Sequence, residues 1–361
     1  MRTSAWSFVE PCKKCSKLEL FTAPYVIWGT GRVAQAFYRT YCAPEGKKPI
    51  FWVDSNAAKH GSRIAGIEVA APETFYQHSE DIYAKGGRLS VVIGATGIFL
   101  LEILSLLERR MVKAAVYSAV QLDAACYFSA EHARIEKIAQ KFSDEKSRHI
   151  YRSLIANMKS GRPVDFSLYE PNQYFGNDVI GELARGEVFV DAGVCHGEEI
   201  DRAIHGGDIF VHGFEPDAEN YAYLLKKYEG RDDVRIHPCA LWDKDERLVF
   251  QSNAATPSAS RLAGADAHEE AAGIAARPLD DVLQGAACTL LKMDIEGAEY
   301  NALLGAAKTI EQHRPKLAVC VYHSLEDYVR IPELLMERYP FYRFFLRQHS
   351  ATSGETVLYA L

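Results

Sequence analysis

Three acids and a histidine, each closing an apolar run, carry the chemistry legible in this chain. "VFVDAGVCHGEE" ends its run on Asp191 and continues through Ala192, Gly193, His196 and Gly197. "GFEPD" ends the next on Glu215 and Pro216, with Glu215 standing 24 residues after Asp191. "LLKMDIEGAEY" places Asp294 at the end of a third run, with Glu296, Gly297 and Glu299 behind it, and "LAVCVYH" brings Tyr322 and His323 to the end of a fourth. Glycines after a strand let backbone come close to a ligand. A carboxylate at the end of the following strand can accept both hydroxyl protons of a ribose, as it does in dinucleotide folds. A pyrophosphate loop is kept free of acid, so Asp191 ahead of the glycines suits a cationic ligand instead. For Asp191 alone, a tight strand-to-helix turn with an Asp cap is the alternative.

Asp294 has two chemical uses that the sequence does not separate: a hydrogen bond to a ligand amino group, or holding and deprotonating a hydroxyl. Glu296 divides between helix cap and site, whereas Glu299 reads as an N-terminal acid favoured by the helix dipole. An imidazole is well tuned to accept a proton near neutral pH, so His323 is the expected general base, with a pH limb near the imidazole pKa of about 6.5 before environmental shifts. The plainer alternative is a hydrogen bond to the loop after its strand. His196 reads as a contact or loop residue, and Tyr174 and Phe175 in "NQYF" either cover the site or pack in the core. Acids and a histidine converge, yet no metal-ligand spacing such as HxH supports a metal, and none is expected. The "CKKC" at Cys12 to Cys15 has no second pair, so a zinc site is not the expected reading there.

The elements that must position these residues form an α/β series. Strands are expected at "VFVDAGV", "IFVHGFE", "VRIHP", "CTLLKMD" and "KLAVCVYH", separated mostly by helical stretches. "FYRFFLRQ" and "ETVLYAL" are joined by "HSATSG", too short for a helical crossover, which predicts a closing antiparallel hairpin. Five β/α units and a hairpin give a seven-stranded Rossmann-like sheet, the layout of S-adenosylmethionine-dependent methyltransferases. This domain is expected over 161–361, after a charged helical linker over 121–160. A smaller Rossmann-like domain is expected over 1–120, where "WGTGRVAQAF" fits a dinucleotide fingerprint through Gly29 and Gly31, with Asp54 in the place of a ribose-binding acid. Taken alone it suggests an NAD(P)-dependent oxidoreductase. The alternatives are a nucleotide-sugar site or a dimerisation or packing unit.

Over roughly 168–361 the sequence resembles the FkbM-type family of S-adenosylmethionine-dependent methyltransferases, through "NQYFGNDVI", "VFVDAGVCHGEE", "GFEPDAEN", "CALWDKD", "RPLDDVL", "LLKMDIEGAE", "VCVYHSLEDYVRIPELL" and "LRQHSATSGETVLYA" in order. The resemblance implies O-methylation of sugars, nucleotide-sugars, glycan precursors or natural-product hydroxyls, with S-adenosyl-L-methionine as cofactor. It also implies that Asp191, Gly193, Gly197 and Glu215 hold the cofactor and that Ala240 and Leu241, in "CAL", face its adenine. In such a site Asp191 would meet an amino group and a sulfonium.

Bulk properties agree with a small-molecule or saccharide partner. The 361 residues are enough for two domains, and 48% hydrophobic with 25% charged residues is a globular composition. No apolar run approaches the roughly 18 residues of a membrane span. The opening residues lack a secretory core and the eight cysteines are scattered, so a cytoplasmic protein with reduced thiols is expected. A net charge of -7 argues against a general grip on nucleic acid.

Overall fold

The computed structural model describes residues 19–95, 97–160, 168–251, 261–263, 273–350 and 354–361. Cys12 and Cys15 lie outside these. The chain divides into two compact units. One comprises the described residues up to His132 together with 153–160, and the other Ala133–Arg152 with the described residues from Leu168 to the end.

The first unit runs β1 (Tyr25–Trp28), α1 (Arg32–Phe37), β2 (Trp52–Val53), β3 (Arg63–Ile64), β4 (Ile67–Ala70), α2 (Pro72–Ala84), β5 (Leu89–Ile93), α3 (Gly97–Arg109), β6 (Ala114–Ser118) and α4 (Ala119–Ala130). Its sheet has the order β3-β4-β2-β1-β5-β6, parallel except for β3 against β4. Successive residues of a strand face opposite sides, so Tyr25 and Ile27 enter one apolar cluster while Val26 and Trp28 enter another. Both faces are therefore covered, as a parallel sheet requires. Ala34 packs directly on Gly94, where a side chain would overlap it.

The helices α5 (His132–Lys141) and α6 (Glu145–Ser160) precede the second series. It runs β7 (Val188–Ala192), α7 (Glu198–His205), β8 (Phe210–Phe214), α8 (Ala218–Lys227), β9 (Val234–His237), β10 (Ala240–Leu241), β11 (Glu246–Gln251), β12 (Arg261–Ala263), β13 (Gly273–Arg277) and α9 (Leu279–Leu283). It then continues with β14 (Leu290–Met293), α10 (Glu299–Gly305), α11 (Ala307–His313), β15 (Lys316–Cys320), α12 (Asp327–Arg338), β16 (Phe344–Gln348) and β17 (Thr356–Ala360).

Seven strands form one sheet in the order β16-β17-β15-β14-β7-β8-β9. The strands from β15 to β9 are parallel, and β17 inserts antiparallel between β15 and β16, so the expected hairpin closes the sheet. A second sheet, ordered β10-β13-β11-β12, stands between β9 and β14 in the chain. It is not among the strands read from the sequence, because its strands are short and charged residues such as Glu246, Arg247 and Arg261 interrupt any apolar run. Among the described residues no helix is long and apolar enough to cross a membrane.

Candidate active site

The carboxyl ends of β7, β8, β14 and β15 share one rim, because parallel neighbours end on the same side. Along β7 and β14, Asp191 pairs with Lys292 and Ala192 with Met293, and the Asp294 N–H donates to the Ala192 carbonyl (3.1 Å). Gly193 has φ +86°, and a Cβ there would overlap the Asp294 carbonyl oxygen. At Gly197 (φ +82°) a Cβ would overlap the Tyr228 hydroxyl, which donates to the Gly197 carbonyl (2.9 Å). From the sequence both glycines are expected to admit a ligand. At both positions the absent side chain makes room for another part of the protein: the end of β14 and the residue after α8.

Asp191 also departs from expectation. It is fully buried, and the Lys292 ammonium stands 2.8 Å from its carboxylate while donating to the Gly193 carbonyl (2.8 Å). Burial pushes the Asp191 carboxyl up, to about 6, against the pull of Lys292. Burial works against the Lys292 charge too, but Asp191 and then Asp294 outweigh it and raise its pKa. At neutral pH both partners are charged, so the charge of Asp191 is met inside the protein rather than offered to a cationic ligand.

Glu215 is buried at the end of β8. Its Oε2 accepts from the Cys195 N–H (2.8 Å) and its Oε1 from the Asp217 N–H (2.8 Å). Each oxygen therefore has a fixed direction and lone pairs to spare. Burial raises its pKa, while the two N–H groups act to lower it. His196 is exposed, its carbonyl takes the Lys227 ammonium (2.7 Å), and its ring meets Tyr223 edge-on. Pro216 is half-buried, and Ala240 and Leu241 are buried in β10 against β13.

Asp294 sits at the centre of the rim. Its Oδ2 accepts from the Tyr174 hydroxyl (2.7 Å) and its Oδ1 from the Tyr322 hydroxyl (3.2 Å), with His323 Nε2 3.3 Å from Oδ1. Burial would raise its pKa, but His323, Lys292 and Tyr174 together hold it well below the usual carboxylate range. The network continues outward: Tyr322 also donates to Glu355 (3.3 Å), and the Gln173 amide donates to Glu355 (2.8 Å) and Tyr174 (3.0 Å). Tyr174 thus belongs to the site. Phe175 turns into the core against Phe189, with the Arg202 guanidinium over its ring.

His323 is flanked by carboxylates. Nδ1 lies 3.0 Å from Glu299 Oε1, and Nε2 faces Asp294 and, at 3.7 Å, Glu296 Oε2. Its side chain is only 4% exposed, so these charges act with little screening. Burial disfavours the imidazolium, yet Glu299 and then Asp294 prevail and raise the pKa to about 10. Carboxylates at both ring nitrogens thus favour the charged form of His323 in the free site.

The sequence presents Glu299 as a helix-terminal acid. It occupies the first position of α10, but its fully buried carboxylate turns back to accept the Ile295 N–H (2.8 Å) and to meet His323. Glu296 is half-exposed with φ +57°, a left-handed conformation uncommon outside glycine. Asp294, Glu299 and His323 come within 4.8 Å of one another. Each of the three offers one ligand atom to a group that could hold a cation, and Glu299 and Asp294 also stand at opposite nitrogens of the His323 ring. Sequence reasoning does not single out Lys292, Glu299, Gln173 or Glu355 as site residues; Lys292, Glu299 and Glu355 are near strand ends in sequence, and Gln173 is the neighbour of Tyr174 in "NQYF".

In the other unit, Asp54 accepts from the Thr30 hydroxyl, the Asn56 N–H (2.9 Å) and the Lys59 ammonium (2.9 Å). Burial opposes its ionisation, but Thr30 and these other donors lower its pKa. The acid that would take a ribose already has three partners from its own chain. Gly29 has φ +106°, whereas Gly31 has no such constraint and open space around it.

A sheet of this strand order, with an acid-lined rim at its carboxyl ends, is that of the methyltransferase fold. Residues 191–349 match the methyltransferase FkbM domain. The crystal structure of methyltransferase FkbM from Methylobacillus flagellatus KT is similar to this chain, with a TM-score of 0.64 at 20% identity over 95% of this chain and 92% of that one. Slighter likenesses are to fibrillarin from Aeropyrum pernix in complex with S-adenosyl-L-methionine (TM-score 0.34, 11% identity, 51% of this chain and 70% of that one) and to UDP-D-quinovosamine 4-dehydrogenase from Vibrio fischeri (TM-score 0.22, 19% identity, 27% and 76%). At such scores neither of these two bears on function. No curated protein matches the chain.

Proposed function

We propose that this methyltransferase uses S-adenosyl-L-methionine to methylate a hydroxyl of a sugar, nucleotide-sugar, glycan precursor or related natural product. The observation that carries the reading is the Asp294 carboxylate, set between two tyrosine hydroxyls and His323 at the end of β14, beside the loop after β7. The bound cofactor would supply an electrophilic methyl on a sulfonium. The residues present suit it. Glu215 has both oxygens aimed and acceptor capacity left for a ribose diol. The loop from Ala192 to Gly197, with His196, and Pro216 would border the bound cofactor, and Ala240 and Leu241 would face its adenine. Asp294, Glu296 and Glu355 outnumber the cations of the rim, since Lys292 is matched by Asp191, which favours a positively charged ligand.

The chain's own part in the reaction is alignment and removal of one proton. Tyr174, Tyr322, Gln173 and Glu355 present donors and acceptors suited to a polyhydroxylated acceptor. When positive charge is brought against Asp294, His323 loses one of the carboxylates that retain its second proton, while Glu299 keeps the first. Nε2 gives that second proton to solvent and can then accept the hydroxyl proton, with Asp294 holding the acceptor.

The test is incubation with methyl-labelled cofactor and a panel of nucleotide-sugars and glycan precursors, with mass detection of a gained methyl. A methyl on a hydroxyl is the expected result. Transfer confined to amines, thiols or protein would overturn the O-methylation reading, and absence of cofactor binding would overturn the cofactor assignment.

A further inference from the structure

We propose that Glu299 is a positioning residue of this site: it holds the Nδ1–H of His323, so that Nε2 is the nitrogen presented to Asp294 and Glu296. The inference rests on the methyltransferase reading for its kinetic consequences, though not for its geometry.

Three observations carry it. The Glu299 carboxylate is fully buried and cannot wander, because the Ile295 N–H donates to the same Oε1 that lies 3.0 Å from His323 Nδ1. The imidazole is fixed as well: its side chain is 4% exposed, and the Tyr322 ring lies against it at 4.2 Å between centroids. The two ring nitrogens also see different surroundings. Nδ1 faces a carboxylate sealed from solvent, while Nε2 faces Asp294 and Glu296, whose side chains are 22% and 31% exposed.

A buried carboxylate on one imidazole nitrogen selects the tautomer and stabilises the imidazolium formed when the other nitrogen takes a proton. Glu299 from α10 occupies that place here. The other charged or titratable groups around the ring are Asp294 and Glu296 from the loop after β14, Lys292 from β14 through Asp294, Cys320 from β15, Tyr322 beside it, Tyr174 on Asp294, and Glu355 on Tyr322. Asp294 and Glu296 lie where ligand and acceptor would enter, so their hold on His323 changes with occupancy. The hold of Glu299 does not.

The proton follows a balanced path. Nε2, having first passed its own proton to solvent as positive charge arrives at Asp294, receives the proton released as the acceptor oxygen bonds to the methyl carbon and the carbon–sulfur bond breaks, and Nδ1 keeps its proton throughout.

The substitution that tests this is Glu299→Gln, which keeps an oxygen for the Ile295 N–H and for Nδ1–H but removes the charge. Turnover is expected to fall by roughly 10²- to 10⁴-fold, with cofactor affinity within about threefold of wild type. The acidic limb of the kcat profile should move to lower pH, because loss of the negative charge makes the imidazolium easier to deprotonate. In a His323→Ala background the same change should cost nothing further. A kcat within about threefold of wild type, an unmoved limb, or an equal further loss in the His323→Ala background would each overturn the proposal.

Histidine-selective NMR of the wild type supplies a readout independent of activity and of the variant's folding. As pH rises, the ring should lose its Nε2 proton first and retain Nδ1–H. Loss of the Nδ1 proton first would overturn the positioning role. If that order holds but no methyl is transferred to any acceptor, the function reading fails while the Glu299–His323 relation stands.

Discussion

Lys292 and Asp191 face each other across the adjacent strands β14 and β7, Nζ to carboxylate 2.8 Å, both sealed from solvent. A buried pair of this kind is costly to break from one side, because the charge left behind has no partner. Removing one member of such a pair typically destabilises by about 3 to 5 kcal/mol. Lys292→Ala should therefore lower stability by that order in denaturant titrations, and Lys292→Met combined with Asp191→Asn should recover much of it. Equal losses in the single and double variants would mean that the pair is not the unit it is in the fold.

Gly193 and Gly31 both look ligand-facing in the sequence, and the structure separates them. Gly193→Ala brings a Cβ onto the Asp294 carbonyl at positive φ, whereas Gly31→Ala meets open space. Gly193→Ala should cost more than about 1 kcal/mol, and Gly31→Ala should be near neutral. Thermal denaturation of the two variants decides the point, and comparable melting temperatures would contradict it.

Glu215→Ala should weaken S-adenosylhomocysteine binding by about ten- to a hundredfold, the equivalent of roughly 1.5 to 3 kcal/mol for hydrogen bonds to a charged group. The same change frees the Cys195 and Asp217 N–H groups, so a lower melting temperature should accompany it. Calorimetry showing unaltered affinity would remove Glu215 from the cofactor site.

His323 makes stability pH-dependent. Its pKa is raised in the folded protein, to about 10, so the stabilisation is fully present below the unfolded value of about 6.5 and is lost as pH rises through the folded one. Between these limits the wild type should lose stability more steeply than His323→Ala does. Parallel curves for the two proteins, measured by denaturant melts from pH 6 to pH 10, would show that the carboxylates do not hold the proton there.

In the first unit, Asp54→Ala strips a partner from Thr30, Asn56 and Lys59 at once. The carboxylate's lowered pKa means that its stabilisation is present above the unfolded value and lost as pH falls through the folded one. The variant should melt several degrees below wild type at pH 7 and leave the response to S-adenosylhomocysteine unchanged. A nucleotide that shifts the wild type but not Asp54→Ala would show that the acid exchanges these partners for a ribose.

Along this chain, the strand ends are legible because apolar runs stop abruptly at Asp191, Glu215, Asp294 and His323. The closing hairpin is legible because six residues cannot hold a crossover helix. Those are local facts, set by periodicity and chain length. The β10–β13 sheet escapes because two- to six-residue strands with interrupting charges carry too little pattern. The roles of the charged residues escape for a different reason. Whether Asp191 faces a ligand or Lys292, whether Gly193 makes room for cofactor or for β14, and whether His323 is neutral or charged depend on neighbours about 100 residues away for the first two and 24 to 29 for the third. Coulomb interactions and overlap act through space at a few ångströms, so only the folded arrangement of strands could decide them.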